Sequence, residues 1–170
     1  MRFFDLVSFS GGIDDSMPSR LGYKKILEAG KDIEVMDSVG AATLTKKIVR
    51  SDSIETITKG VRQNRTIGVL PKNASLSGKA LDAVKENGKL VLIPLSEATC
   101  AQGPDRAHAL PRFRKLVRNV LIAKVPFALV SMAETREGMM SSLQMIEVAG
   151  FLGVDQRRAK EALAKLGEVL

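Results

Sequence analysis

The chain has 170 residues, 45% of them apolar and 26% charged, with a formal net charge of +7 and a pI near 9.7. That length is one domain by the usual prior, spanning 1–170, and the apolar share suffices for a packed core, which excludes a disordered or fibrous chain. The surplus of positive charge calls for an acidic partner, with nucleic acid ahead of an anionic membrane.

The order of elements opens with a strand, Phe3 to Phe9, ended by a turn at Ser10-Gly11-Gly12. A short helix begins near Met17-Pro18, with proline in its first turn. Tyr23 to Leu27 and Asp32 to Met36 read as the second and third strands, and Ala41 to Arg50 as a helix striped by Leu44, Ile48 and Val49. Ser53 to Thr58 alternates with period two and is expected as a strand with one wet face. The basic loop Lys59 to Arg65 carries Arg62 and Arg65, and Thr66 to Leu70 is the next strand. Leu76 to Glu86 forms an amphipathic helix capped by Gly88, and the apolar run Leu90 to Leu95 suits a strand buried on both faces.

After a loop from Ser96 to Gly103, a long helix runs directly into the strand Phe127 to Val130. At about 100° per residue, Leu110, Phe113, Leu116, Val117, Val120 and Leu121 gather on one side. Arg112, Arg114, Lys115 and Arg118 lie opposite, beside Asn119, and no carboxylate dilutes them. An inert helix face mixes both signs for i, i+4 pairing, so this face points to a polyanion. Lys124-Val125-Pro126 stops the helix. A loop from Ser131 to Gly138 precedes a methionine-rich helix, Met139 to Leu152, with Met139, Leu143, Ile146 and Gly150 in register. Asp155 caps a last helix, Gln156 to Leu166, which bears Arg157 and Arg158.

Strands alternating with helices specify an α/β class with a mainly parallel sheet. About seven strands fit a trimmed, TIM-like (β/α) barrel with some crossover helices missing, and the stretch from Thr58 to Thr66 has no room for one. An open doubly wound sheet is the alternative. A barrel of this kind acts at the C-terminal ends of its strands. Those ends offer Ser8, Ser10, Asp37, Ser38, Thr58, Lys59, Lys72, Asn73, Ser96, Glu97, Ser131 and Glu134, and Asp5 lies in the first strand.

The one histidine, His108, cannot build a multinuclear metal site, and Cys100 has no histidine coupled to it and reads as buried or incidental. A lone cysteine also excludes an internal disulfide and suits a reducing cytoplasm. With neither a signal-like start nor a membrane-length apolar run, a cytoplasmic protein without a membrane partner is expected. What remains is an RNA-binding inventory of Arg62, Arg65, Lys72, Arg106, Arg112, Arg114, Lys115, Arg118 and Arg136. With few aromatics to stack on bases, phosphate contacts to a folded RNA are favoured.

Several blocks in sequence resemble protein component 3 of archaeal ribonuclease P, the subunit shared with the eukaryotic enzyme. The opening MRFFDL is similar to that family's first strand, and Asn64-Arg65, TIGVLP, KALDAVKENG and LVLIPLSEA to its central blocks. RAHALPRFRKLVRNVLIAKVPFALVSMAE is similar to its arginine-bearing helix and following strand, and MMSSLQMIEVAGFLGVDQRRAKEAL to its closing region. The chain would be a shortened member, with its losses in the first half.

The resemblance implies a barrel and a place in endonucleolytic removal of the 5′ leader from precursor tRNA. It further implies an RNA subunit that performs the hydrolysis with its own Mg2+, no cofactor on the protein, and pairing with the RRM-like protein component 2. The family's barrel is also similar to that of metal-dependent phosphoesterases whose first strand ends in two histidines. Here that place reads Asp5-Leu6-Val7-Ser8-Phe9, so the metal chemistry is not inherited. A stand-alone barrel phosphoesterase or other small-substrate enzyme is the alternative.

Overall fold

The computed structural model describes residues 1–9, 11, 13–40, 44–100 and 103–170, the side chains of 103–106 excepted. Among these residues seven strands form two parallel sheets. β1 (Phe4–Val7) pairs with β2 (Lys25–Glu28). The larger sheet runs in chain order through β3 (Glu34–Met36), β4 (Lys47–Arg50), β5 (Thr66–Leu70), β6 (Leu90–Pro94) and β7 (Phe127–Val130). Two seams join the sheets. A parallel bridge links Ala29 to Ile33. At the other seam Met132 N–H donates to the Leu6 carbonyl at 2.8 Å and Ser8 N–H to the Ala133 carbonyl at 2.9 Å.

Alternation along the strands separates two cores. Leu6, Leu27, Ile48, Leu92 and Val130 turn to one cluster, which takes only Leu166 from the described helices among its fully buried members. Val7, Ile26, Val49, Val69, Ile93 and Leu129 are also buried. Of these, all but Val49 belong to a second cluster shared with the helices. Those helices are α1 (Met17–Leu21), α2 (Ile54–Val61), α3 (Gly78–Glu86), α4 (Leu95–Thr99), α5 (Gly103–Ala123), α6 (Ser142–Phe151) and α7 (Gln156–Glu168).

Two adjacent segments depart from the sequence reading. The helix expected at Ala41 to Arg50 is instead β4 over its last four residues, while 41–43 lie outside the described residues. Ile48 and Val49 are β-branched and fully buried on opposite faces, which a strand accommodates better than a helix. The expected strand Ser53 to Thr58 is the start of α2. Its Ser53 side chain accepts from Thr56 N–H as an N-cap, and the apparent alternation conceals a helical stripe of Ile57, Gly60 and Val61.

The crossover thought to have no room between Thr58 and Thr66 is therefore present and already complete at Val61. Gly60 makes it fit, because a Cβ there would stand 2.6 Å from Val49 Cγ2. Among the described residues, no helix separates β2 from β3 or β3 from β4.

The second half follows the sequence closely. β6 is buried throughout. The Gly88 cap has the expected left-handed backbone, with φ of 62°. α5 ends in a paired-bond cap: Lys124 N–H donates to Leu121 and Val125 N–H to Val120, both at 3.2 Å, with Lys124 at φ 54°. The loop expected from Ser96 holds the short helix α4. The methionine-rich helix begins later than expected, behind a capping box at Ser141 and Gln144. Its buried side is Met145, Ile146 and Ala149, so Leu143 and Gly150 face outward. Asp155 caps α7 by accepting from Arg158 N–H at 3.0 Å.

Candidate functional site

α5 presents the face its sequence specifies. Phe113, Leu116, Val117 and Val120 are buried, each such side chain contributing about 1.5–3 kcal/mol. Leu110 and Leu121 are half-buried, as is Asn119, while Arg112, Arg114, Lys115 and Arg118 are exposed. None of these four cations forms an ion pair among the described residues. Arg114 Nε donates to the Phe151 carbonyl at 2.9 Å, tying the helix to the end of α6.

This contact borders a groove of about 620 Å3 lined by Arg118, Ile122 and Phe151. Phe151 is 72% exposed and Ile122 68%. The sequence reading set base stacking aside for want of exposed aromatics; at this groove the structure supplies one beside two arginines. The signal was the Gly150-Phe151-Leu152-Gly153 stretch, in which Phe151 falls off the buried side of α6.

The remaining cations divide. Arg62 caps the C-terminus of α2 and Arg65 immediately precedes β5, so both lie toward the N-terminal ends of the strands. Lys72 follows β5 at the other end and pairs with Asp37 at 3.3 Å. Arg136, in a 3-10 turn after β7, pairs with Asp14 at 3.1 Å. Arg157 and Arg158 pair with Glu161 and Asp155. Arg106 lies in the first turns of α5, where its side chain is outside the described residues. His108 is exposed on the same helix. Among the described residues, the α5 quartet combines four exposed cations on one helix face with no ion-paired carboxylate.

The polar residues at the strand ends also separate into two kinds. Asp5, Ser131 and Ser96 are buried and engaged in holding β1, β7 and α4 together. Ser131 N–H donates to Asp5 Oδ1 at 2.6 Å and Ser131 Oγ to Asp5 Oδ2 at 2.7 Å, while Ser96 Oγ donates to the Ser131 carbonyl. Burial pushes the Asp5 carboxyl up to about 6, against the lowering effect of the bonds from Ser131 and Leu6. Thr58 and Lys59, expected at a strand end, lie within α2, because that segment is helical. Asp37, Ser38 and Asn73 are exposed, Asn73 donating to Asp52 at 2.7 Å, and Ser10 is outside the described residues.

The second kind lines a cleft of about 330 Å3. Ser8, Glu97 and Glu134 meet there with Cys100, Thr135 and Arg50. Burial raises the Glu97 carboxyl above its ordinary range, opposed by the Arg50 charge. Cys100 is exposed rather than buried, as the C-cap of α4 at the cleft wall. Arg50 is the residue the sequence reading missed: assigned to a helix flank, it stands at the C-terminal end of β4. Among the described residues, no three of His, Cys, Asp and Glu gather in a way that could hold a metal ion. No described helix is long and apolar enough to cross a membrane.

No family model matches the chain, and no curated protein matches it in sequence. Its fold is similar to solved structures. One is a chain of archaeal ribonuclease P determined by cryo-EM with mature tRNA, at a TM-score of 0.70 and 10% identity, covering 98% of this chain and 79% of that one. Another is a prolidase complexed with N-methylphosphonate-L-proline, at 0.58 and 11% identity, covering 99% and 56%. A third is an uncharacterized protein at 0.54 and 14%, covering 73% and 34%.

Proposed function

We propose that the chain is a shortened protein component 3 of ribonuclease P, an RNA-binding subunit that supports leader removal from precursor tRNA without an active site of its own. The observation that carries this reading is the fold likeness to a chain of archaeal ribonuclease P over 98% of the present chain. The α5 face supports it, since four exposed cations without carboxylates suit a phosphate backbone. On this reading the two parallel sheets make one trimmed barrel, which the Ala29–Ile33 bridge and the Met132–Leu6 and Ser8–Ala133 bonds favour. Arg112, Arg114, Lys115 and Arg118 meet the RNA, with Arg62, Arg65, Lys72, Arg106 and Arg136 contributing from the flanks. Its partners are the catalytic RNA, which holds Mg2+, the precursor tRNA and the RRM-like component 2, in the cytoplasm.

Reconstitution tests it. Added with its partner to the catalytic RNA, the protein lowers the Mg2+ needed for leader removal, because protein cations replace part of the ionic screening. Cleavage of precursor tRNA at the leader junction by the protein alone would end this reading. One observation favours the second reading, a stand-alone phosphoesterase or other small-substrate enzyme: the half-buried Arg50 and Glu97 at the strand ends. Mg2+-dependent hydrolysis of a phosphoester by the purified chain, without RNA, would put it first.

A further inference from the structure

The groove between α5 and the end of α6 is more specifically built than the α5 face around it. Arg114, Arg118 and Ile122 recur every four residues and make one wall as a single row along α5. Gly150 to Gly153 make the other, so each wall carries one exposed apolar side chain, Ile122 on α5 and Phe151 on α6. Arg114 is already anchored. Its Nε donates to the Phe151 carbonyl at 2.9 Å, while its terminal nitrogens make no hydrogen bond among the described residues. That bond fixes where the guanidinium stands and leaves its outer donors to an acceptor from outside the chain. No acidic side chain lines the groove; Glu147, exposed one turn before Phe151, lies outside the lining.

The glycine at 150 has no packing reason. A Cβ there would meet nothing within 4 Å, and its φ is not in the left-handed region. Gly153 differs, since its φ of 97° favours glycine after the helix end. A glycine inside a helix weakens it relative to alanine. At 150 that weakness leaves open the space beside Phe151.

We propose, resting on the reading that α5 meets RNA, that this groove takes one unpaired nucleotide of an RNA strand. Its base lies against Phe151 and Ile122, and its phosphate meets the outer nitrogens of Arg114 with Arg118 alongside. An exposed aromatic ring stacks on any base that has left its own stack. A duplex keeps its base faces covered and cannot use the ring. The volume of about 620 Å3 suits one small ligand. A protein partner fits less well, because an interface of standard size covers about 800 Å2 on each side. Exposed Leu143 lies two turns before Phe151 on the same side of α6, but Glu147 between them breaks the apolar surface.

The test is fluorescence anisotropy of the full chain at low salt with three labelled probes: a short oligoadenylate, an abasic strand with the same phosphates, and a blunt RNA duplex. The oligoadenylate should bind at least about fivefold more tightly than the abasic strand. Phe151→Ala should remove that advantage, with duplex affinity and thermal unfolding unchanged because the ring is exposed. Phe151→Trp should keep it. Gly150→Gln, which places a good helix former in the groove, should raise Tm by about 2 °C and weaken the oligoadenylate. Unchanged oligoadenylate affinity in either Phe151→Ala or Gly150→Gln overturns the proposal. So does a Phe151→Ala chain that loses affinity for the RRM-like partner alone, which would make the groove a protein contact. Duplex binding with no preference for bases over the abasic strand overturns the groove site and leaves the RNA-binding reading standing. Failure to bind any of the three probes overturns that reading, and the groove site with it.

Discussion

The α5 face and the strand-end cleft both present guanidinium groups with no carboxylate bonded to them, yet they stand in different solvents. On α5 four cations sit in water, where each retains its hydration and costs the fold almost nothing. Their field is summed over the face and fades within about 8–10 Å in physiological salt. Such a surface reads charge density and is indifferent to the identity of what bears it. In the cleft one arginine is half-buried near a carboxyl that burial has raised, so its charge is less screened. The difference teaches that exposure, more than formal charge, decides how strongly solvent screens an arginine.

Substitutions sharpen that contrast in decreasing order of effect. Phe113→Ala removes the aromatic that seats α5 and should cost about 3–5 kcal/mol in urea unfolding. A loss under about 1 kcal/mol would mean that this contact does not hold the cationic face outward. Asp5→Asn comes next. The folded protein holds the Asp5 proton to about 6 against an ordinary 3.8, so native protein binds more protons than unfolded chain between those values. The stabilisation from this group is complete below about pH 4 and is lost as pH rises through 6, by roughly 3 kcal/mol in all. Relative to wild type, the variant should therefore gain stability across that window; a constant difference would mean that the carboxylate is the native form.

Arg50→Met removes a donor whose desolvation nothing repays, and should leave stability unchanged or raise it by about 1 kcal/mol in thermal unfolding. A clear destabilisation would show that the guanidinium is satisfied. Arg112→Ala with Arg118→Ala is the smallest effect on the fold, within about 0.5 kcal/mol. It should nevertheless flatten the salt dependence of RNA binding by about one unit of slope per lost phosphate contact. An unchanged slope would assign this face to solvent alone.

What could be read from the sequence follows the same division. The α5 quartet was legible because helical periodicity places side chains without knowledge of any neighbour. The α/β class and the buried β6 were legible from equally local patterns, whereas the expected count of seven strands agrees only because the missed β4 offsets the strand expected at Ser53 to Thr58. Arg50 was not legible, because its position depends on Lys47 to Arg50 being a strand, and the apolar stripe Leu44, Ile48, Val49 fits a helix equally well. Fully buried Lys47 added to the confusion; its ammonium is held by Gln63 and the Gly40 carbonyl, partners that only the fold brings near. Ser53 to Thr58 failed conversely, since its cap at Ser53 competes with an alternation that the stripe at Ile57, Gly60 and Val61 overrides. Asp5 and Ser131 looked like chemistry at strand ends because a sequence cannot show that they face each other in the interior.

That pairing has a consequence for how the polypeptide is made. Asp5 and Ser131 are separated by 126 positions, and the neighbouring bonds from Met132 N–H to Leu6 and from Ser8 N–H to Ala133 join segments about as far apart. At about 5–20 residues per second, the ribosome delivers the second half of this seam roughly 6–25 s after the first. α2 to α5 have time to form while β1 waits with β2 as its single strand partner. The seam is a non-local contact of the kind that slows folding, and its closure is a late event. Until then the nascent chain carries an open, apolar parallel edge, which makes early translation the period of greatest demand for chaperone protection.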